Sequence, residues 1–389
     1  MILAVILLIA PSCTQDSRND SEMIVADNTL LINPSEAQKV NYSQVFSKVD
    51  YIPIPTDEDF LIGDVDKLIV TDSHILMMDK YISHSVFIFD KSGTEKIQLS
   101  KLGNAPGEYV VMQDIFFDSE KQELVIYCNI RKKLLCYNVN GKFIREESIP
   151  FRGWRVKPVG NNYAIFSDYI FNDNAKKSKK YPNIILSSLS ENIISSADFF
   201  TEDVDTKIVW SSVPDFSETT DKSVSIKPDH GNIVYHITAD SIYPAYRLDF
   251  GKYNIDARYW EKATEKGVTL KRVNEYCNAL GLCESYNLLE DSDYLYFNYK
   301  QKEKANTVFY SKKTNKMVHA NAFLNDMDQI TAFHPKLLYD KKIYCLLKAE
   351  DILLAKTFLA QNKLLPPEIL DNTQEFDNPV IVIFTLKDF

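Results

Sequence analysis

The residue types that most often carry chemistry form no recognisable catalytic motif in this chain. Its six histidines are scattered, and there is no HExxH pair, no GxSxG nucleophile turn and no phosphate-binding loop. Asp and Glu are plentiful, but spacing alone does not separate a catalytic carboxylate pair from surface acids. No CxxC or Cys/His spacing indicates zinc. The sequence therefore predicts no metal, no cofactor and no identifiable reaction.

Aromatic rings beside Arg and Glu side chains offer binding chemistry instead. Rings stack on the apolar faces of sugars and peptide groups, while guanidinium and carboxylate groups fix orientation through hydrogen bonds. These residues lie in four separate segments, so they form one site only if the fold brings the segments together. A structural alternative is that the tryptophans plug a channel and that the glutamate caps backbone amides. The candidate ligand-binding residues are Glu108, Tyr109, Arg152, Trp154, Arg155, Trp210 and Trp260.

The elements that would position these candidates are short β-strands in a repeating unit. Residues 85–90 read as a strand and are followed by a turn at Gly93. Residues 134–139 are followed by Asn140-Gly141, the strongest short-range signal for a β-hairpin. Four strands repeated at a spacing of about 40–50 residues indicate the blades of a propeller.

The sequence predicts an all-β fold, a six-bladed β-propeller closed by an N-terminal strand. The last unit lacks an outer strand, and residues 46–56 precede the first unit, so we expect them to pair with residues 380–386. Two helical insertions interrupt the strands, at residues 257–280 before Gly281 and at residues 348–372. The six units cover residues 63–103, 112–150, 156–200, 224–250, 284–327, and 331 to the C-terminal strand.

The first residues have the form of an export signal. Residues 2–10 are wholly apolar, which is much shorter than the roughly 20 residues needed to span a bilayer. Ser12-Cys13 then resembles a bacterial lipoprotein cleavage site, with Cys13 as the lipidated residue; the alternatives are a plain secreted protein and a wrongly assigned start codon. We expect a signal peptide at residues 1–12, a lipid-anchored tether at 13–45 and the propeller at 46–389.

Net charge narrows the classes of partner, and cysteine positions bear on disulfide formation. A net charge of −10 and a sequence pI near 5.2 argue against a nucleic-acid partner, and we expect membrane contact only through the lipid anchor. Cys128 and Cys136 lie on neighbouring strand-like runs that a disulfide could join in an oxidising compartment. Buried free thiols are the state that the sequence favours.

A turn after the first unit carries a family resemblance. The sequence K-L-G-N-A-P-G-E-Y at residues 101–109 resembles the G-x-G-P-G-E-Y turn of a large family of six-bladed propellers, mostly Gram-negative lipoproteins, which is similar to NHL-type and TolB-type propellers. Ala105 stands where the family has its second glycine. Residues 49–55 and 240–250 also look like the family. The resemblance implies an extracytoplasmic propeller of the cell envelope, as an outer-membrane lipoprotein, and implies no defined activity.

In a propeller, the linkers between successive blades gather on one face around the central channel, which would bring the candidate residues together. The leading hypothesis is a module that binds a glycan or peptide, or a protein partner such as an outer-membrane uptake system. The alternative is a metal-dependent hydrolase or lyase in the channel, with His230 and His236 as candidate ligands. A third is a structural protein that docks through residues 257–280. Three or more Asp, Glu, His or Asn side chains converging at the channel mouth would favour the enzyme.

Overall fold

Four- and five-stranded sheets succeed one another along the chain and form the six blades of a β-propeller, as expected. None of the described helices combines the length and the apolar character needed to cross a membrane. The computed structural model describes residues 25–91, 96–202, 214–220, 222–229, 231–255, 259, 262, 265, 267, 269–328, 333–359 and 367–389. Among the residues singled out from the sequence, Ser12, Cys13, Gly93, Trp210, His230 and Trp260 lie outside these ranges.

The first described segment supplies strands to three different blades. A single-turn helix continues directly into the longest of these strands. The elements are β1 (Asn28–Leu31), β2 (Gln38–Asn41), helix α1 (Tyr42–Val45) and β3 (Phe46–Pro53), with a 3-10 turn at Pro34–Glu36.

Blades 1 to 3 are antiparallel meanders whose first strand is innermost. Their central strands are buried along most of their length, because neighbouring blades cover both faces of each sheet. Blade 1 contains β4 (Lys67–Val70), β5 (His74–Asp79), β6 (Ser85–Asp90) and β7 (Lys96–Leu99); blade 2 contains β8 (Asp114–Asp118), β9 (Glu123–Cys128), β10 (Lys133–Asn138) and β11 (Phe143–Ser148); blade 3 contains β12 (Arg155–Val159), β13 (Asn162–Phe166), β14 (Lys180–Ser187) and β15 (Ile193–Thr201).

Blades 4 and 5 repeat the meander, with one correction to the expected boundaries. Blade 4 begins at Ser217 rather than at residue 224, because the polar tetrapeptide S-E-T-T forms its innermost strand. The strands of blade 4 are β16 (Ser217–Thr220), β17 (Ser223–Ile226), β18 (Ile233–Ile237) and β19 (Ile242–Asp249), and those of blade 5 are β20 (Cys283–Glu290), β21 (Tyr294–Gln301), β22 (Lys304–Ser311) and β23 (Lys316–Leu324).

Blade 6 closes the ring with strands from both ends of the chain. It contains β24 (Pro335–Tyr339), β25 (Lys342–Leu347) and β26 (Val380–Leu386), and its outer strand is β3. The pairing is antiparallel, with Val380 opposite Pro53 and Phe384 opposite Val49. The closure expected from the sequence is confirmed.

The segment before β3 is part of the folded body rather than a tether. Strand β1 pairs in parallel with β19, with Leu30 opposite Leu248, and β2 pairs in parallel with β23, with Val40 opposite Phe323. Leu30 and Val40 are buried. The propeller therefore begins near Asn28, so the tether boundary expected at residue 45 is corrected to a position before β1.

The helical insertions agree with expectation at their C-terminal ends. Thr269 caps α2 by accepting a hydrogen bond from the Arg272 backbone N–H at 3.4 Å, and Gly281 ends the helix in the left-handed region at φ 68°. Near the expected start, Tyr259 and Lys262 are helical, a continuous helix begins at Leu270, and residue 257 lies outside the described ranges. The helices are α2 (Leu270–Leu280), α3 (Ala349–Leu359) and α4 (Pro367–Asn372), with short 3-10 turns at Asp173–Ala175 and Gly251–Tyr253.

A separate apolar cluster fills each of the six junctions between neighbouring blades. The cysteines belong to this packing: Cys128 lies in the cluster between blades 1 and 2, and Cys136 in the cluster between blades 2 and 3. Because their side chains leave the sheet on opposite faces, a disulfide cannot join them. Both are buried free thiols.

Phe46 anchors the closing strand. Its ring is 1% exposed and packs against Phe384 of blade 6 and Phe309 of blade 5, with ring centroids 4.9 and 5.7 Å away.

We predict that Phe46→Ala lowers the free energy of unfolding by about 3–5 kcal/mol, because it leaves a cavity between two blades. Urea unfolding measures the change. Phe376→Ala is the matched control, since that ring is 83% exposed, and its effect should stay within about 0.5 kcal/mol. Equal effects of the two substitutions would contradict the role given to Phe46.

Candidate functional site

The innermost strands of the six blades surround the propeller axis. Neighbouring inner strands contact one another, as β4 does with β8 and β24, and β12 with β8. In every blade the inner strand begins where a linker from the previous blade ends. All the linkers therefore lie on one side of the ring, here named the linker face, as expected from the sequence.

A cavity of about 890 Å³ opens at the linker face. Its wall on the side of blades 1, 3 and 4 is charged, whereas its wall on the side of blades 5 and 6 is aromatic and carries amide groups. The charged wall includes Lys67, Arg155, Asp215 and Lys227, and the aromatic wall includes Tyr286, Tyr296, Asn298 and Phe333.

The charged wall is built around Lys67, the first residue of β4. Its Nζ donates to Asp114 Oδ1 at 2.8 Å and to Asp215 Oδ1 at 2.9 Å. Asp114 is the first residue of β8, and its other oxygen accepts the backbone N–H of Val156 at 2.9 Å. Arg155, the first residue of β12, brings its Nε to 3.7 Å from Asp215 Oδ1. These side chains connect blades 1, 2 and 3 to the segment that enters blade 4.

Burial and ion pairing shift the pKa of each of these groups in opposite directions. Burial would lower the pKa of Lys67, but the carboxylates of Asp114 and Asp215 outweigh it and hold this pKa above the ordinary value. Burial raises the pKa of Asp114 in spite of Lys67. The pKa of Asp215 is lowered, because the charges of Lys67 and Arg155 outweigh its burial. Lys67 and Asp215 are thus the firmly charged pair of the cluster.

A bulge in β20 shapes the aromatic wall. Tyr286 pairs with Asn298 and Leu289 pairs with Tyr296, so two residues of β20 lie opposite one residue of β21. Asn287, inside the bulge, has φ 52°. Asn298 accepts a hydrogen bond from the Tyr296 hydroxyl at 2.6 Å. β-bulges re-aim side chains and are over-represented beside functional sites.

Of the candidate residues from the sequence that the structure describes, Arg155 lines the cavity and Trp154, its neighbour in the chain, does not. The Nζ of Lys80 lies 5.0 Å from the centroid of the Trp154 ring. Arg152 has an exposed side chain, and its backbone N–H donates to Asn172 Oδ1 at 2.8 Å.

Glu108 and Tyr109 do not line the cavity. Tyr109 is fully buried, and its hydroxyl donates to the His84 carbonyl at 2.7 Å. Glu108 accepts the Ala105 backbone N–H at 2.9 Å and lies where a Cβ on Gly103 would be. These contacts correspond to the structural alternative: the turn joins blades 1 and 2, and a ligand cannot reach Tyr109 without unfolding it.

His236, a candidate metal ligand under the enzyme hypothesis, forms a contact between blades 4 and 5. His236 lies on β18, the third strand of blade 4, and its Nε2 is 2.9 Å from Glu290 Oε1. Lys312 approaches the same oxygen at 2.6 Å. Within the described ranges, no three His, Cys, Asp or Glu side chains are grouped so as to hold a metal ion.

Lys67, Asp114 and Asp215 were not among the residues predicted from the sequence. A usable signal was present, because Lys67, Asp114 and Arg155 each open an otherwise largely apolar inner strand of consecutive blades. The same register position in successive blades points to the same place at the axis. Asp215 offered no such signal, because β16 itself was assigned to a linker.

Fold and cavity together define a six-bladed β-propeller with a cavity on its linker face. The chain belongs to the DUF4934 family, described as a domain of unknown function, which matches residues 29–385. The match includes β2 and almost all of β1, in agreement with their place in the folded body.

A solved structure shares the fold at low sequence identity. A protein of Bacteroides fragilis NCTC 9343 described as exported is 17% identical, with a TM-score of 0.71 over 90% of this chain and 99% of that chain. A DUF4221 member from Bacteroides vulgatus is 11% identical, with a TM-score of 0.46 over 87% of this chain and 98% of that one. No curated protein matches the sequence.

We predict that Lys67→Met destabilises the protein by about 3–5 kcal/mol, because it leaves the buried Asp114 without its cation. Lys121→Met is the control: Lys121 is 54% exposed and pairs with Asp118 at the surface, so its loss should cost at most about 1 kcal/mol. Urea unfolding measures both changes.

The loss of unfolding free energy caused by Lys67→Met should become smaller as the pH falls. A carboxyl whose folded-state pKa is raised binds its proton more readily in the folded protein, so stability rises as the pH falls through that pKa toward the ordinary value of 3.8. The double variant Lys67→Met/Asp114→Asn should recover part of the stability at neutral pH. A deficit independent of pH would contradict this account.

Proposed function

We propose that this propeller is an extracytoplasmic binding module whose linker-face cavity takes up a glycan or peptide. The observation that carries the proposal is the junction, in one cavity, of the Lys67–Asp215–Arg155 charge cluster with the Tyr286 and Asn298 wall. Ligand sites combine apolar rings with a few convergent polar groups that fix orientation. A core of structural ion pairs alone would need neither the cavity nor the bulge.

The charge distribution favours binding over metal-assisted hydrolysis. Asp114 and Asp215 both face Lys67, whereas a catalytic metal ion needs carboxylates or imidazoles that converge on one point. Asp, Asn and His side chains do line the cavity, but within the described ranges no three His, Cys, Asp or Glu side chains are grouped so as to hold a metal ion.

We also propose a lipid anchor at Cys13, on the basis of the Ser12-Cys13 motif and the resemblance to lipoprotein propellers. Strand β1 runs parallel to β19, which ends at the linker face, and the Asp27 backbone N–H donates to the Pro244 carbonyl. Asp27 and the start of β1 therefore lie on the opposite side of the ring. An anchor on this segment leaves the cavity facing away from the membrane, and the exported description of the Bacteroides fragilis protein supports the same compartment.

A screen of the chain from Thr14 onward on glycan and peptide arrays tests the binding proposal. For any ligand found, Tyr286→Ala and Asn298→Ala should raise Kd about tenfold each, through loss of a stacking ring or a side-chain hydrogen bond. Ile144→Ala, on the far side of blade 2 and 46% exposed, is the control. Binding that survives both cavity variants, or no binding on either array, would contradict the proposal.

A protein partner at the same face is a second candidate, favoured by the distribution of exposed apolar side chains. Tyr81 and Ile82 in blade 1, Ile130 in blade 2 and Phe171 in blade 3 are 45–65% exposed in linker-face loops. Of the large apolar side chains that the structure shows exposed, only Val25 and Ile144 lie away from this face. Patches of this kind mark interaction surfaces.

Basic groups flank the apolar loops in blades 2 and 3. Arg131 and Lys132 adjoin Ile130, and the exposed Arg152 is joined to the Phe171 loop through Asn172. The surface therefore fits a partner protein with acidic and apolar side chains, such as an outer-membrane uptake component.

Site-specific photo-crosslinking in the native cell tests the partner. A photoreactive residue at Tyr81 or Ile130 should capture the same protein, and one at Ile144 should not. Replacing Arg131 and Arg152 by Glu should abolish capture, because it inverts the charge beside the apolar loops. Capture of the same protein from Ile144, or capture insensitive to the charge reversal, would contradict a docking surface at the linker face.

A further inference from the structure

Lys80 is a buried cation that forms no direct ion pair with any residue that the structure describes. It follows β5, and the residue is 9% exposed. Its backbone N–H donates to Asp66 Oδ2 at 2.7 Å, but within the described ranges its ammonium makes no hydrogen bond and no ion pair. Its Nζ instead lies 5.0 Å from the ring centroids of both Tyr81 and Trp154.

Arg155 follows Trp154 in the chain and lines the linker-face cavity. Its guanidinium also makes few hydrogen bonds to described residues. Its Nη1 donates to the Trp154 carbonyl at 3.3 Å, and its Nε lies 3.7 Å from Asp215 without a hydrogen bond. A guanidinium has five N–H donors in a planar fork. Most of these donors have no partner among the described residues, although the side chain is only 12% exposed.

The two cations act on each other. The pKa of Lys80 is lowered first by burial and then by the positive charge of Arg155. An unpaired ammonium out of water is costly, and two such groups side by side are more costly still. A folded protein retains such an arrangement where a ligand supplies the missing charge.

We propose that Lys80, Arg155 and the Trp154 ring form a carboxylate-binding subsite at the edge of the linker-face cavity. The proposal rests on the proposed binding function and gives its ligand a chemical class, a molecule with a singly charged carboxylate. Arg155 matches the planar group with two parallel hydrogen bonds, Lys80 adds a point charge, and the indole packs against the carbon next to the carboxylate.

Local charge balance favours a carboxylate over a phosphate or sulfate dianion. Lys67 is already bound by Asp114 and Asp215, and Asp66 acts electrostatically on Lys80. The carboxylates of Asp66, Asp114 and Asp215 already lie near the three cations, so a dianion would meet more repulsion here than a singly charged carboxylate. Acidic sugars and peptide carboxylates share the required chemistry.

Thermal unfolding of the chain from Thr14 onward tests the subsite with simple probes. The probes are galacturonate and N-acetylglycinate, with the neutral galactose and N-acetylglycinamide, sulfate, phosphate and chloride compared at equal ionic strength. A ligand of the folded state raises the Tm by mass action. We expect a carboxylate-specific increase, and the stronger of the two carboxylates identifies an acidic sugar or a peptide as the source.

The variants Lys80→Met and Arg155→Lys should weaken the apparent affinity for the carboxylate about tenfold, the loss expected for one charge-assisted contact. Lys101→Met, an exposed lysine of the next linker, is the matched control and should bind as the wild type does. Without probes, Lys80→Met should unfold at the same temperature as the wild type or at a higher one, because it removes an unpaired buried charge.

Any of the following outcomes would overturn the proposed carboxylate subsite. An equal response to neutral probes, a larger response to the dianions, or undiminished carboxylate binding by both variants excludes it, and strong destabilisation by Lys80→Met shows that the ammonium is structural. The proposed cavity function fails separately. It fails if Tyr286→Ala leaves the array ligand unaffected while the carboxylate response persists.

Discussion

Burial of both faces of every blade is the constraint on which the rest of the structure depends. Each junction between neighbouring blades holds its own apolar cluster, so a blade without a neighbour would expose one of them. An open ring would leave two blade faces in water. The pairing of β3 with β26 removes that opening, and Phe46 carries the closing strand into the cluster between blades 5 and 6. Closure is therefore a condition for stability.

A closed ring also fixes where polar groups must be paired. The inner strands converge at the axis, so side chains at their first positions meet residues from blades that are distant in sequence. Lys67 of blade 1 reaches Asp215 at the entry to blade 4 in this way. Such groups leave water when the ring closes, and they are stable only with partners of opposite charge. The same geometry that makes the core apolar between blades makes it ionic near the axis.

The sequence predicted the features that depend on local signals. Repeated turns gave the blade count, and the unpaired apolar run at residues 49–55 gave the closure. Asn140-Gly141 marked a hairpin correctly, but only Gly141 has positive φ, at 71°, and the register shifts after Cys136, so the turn is of the bulged kind rather than a two-residue type I′ turn. Strands β1 and β2 escaped prediction because parallel addition to an existing sheet edge needs only four residues and leaves no hairpin signal. The charge cluster depends on contacts across the ring, which no local pattern records.

Comparison of two buried lysines separates structural charge from functional charge. Lys67 and Lys80 are each 9% exposed, and both lie in blade 1. Lys67 binds two carboxylates, and its pKa is held high. Lys80 makes no ion pair with a described residue and lies beside two aromatic rings. Burial and the charge of Arg155 lower its pKa and outweigh the carboxylates of Asp66 and Asp114. Packing does not explain why two equally buried lysines differ in their ion pairs. Folding stability alone would favour a carboxylate partner for the ammonium at both positions. The difference is explained if stability at Lys80 is given up for a ligand that completes the pairing.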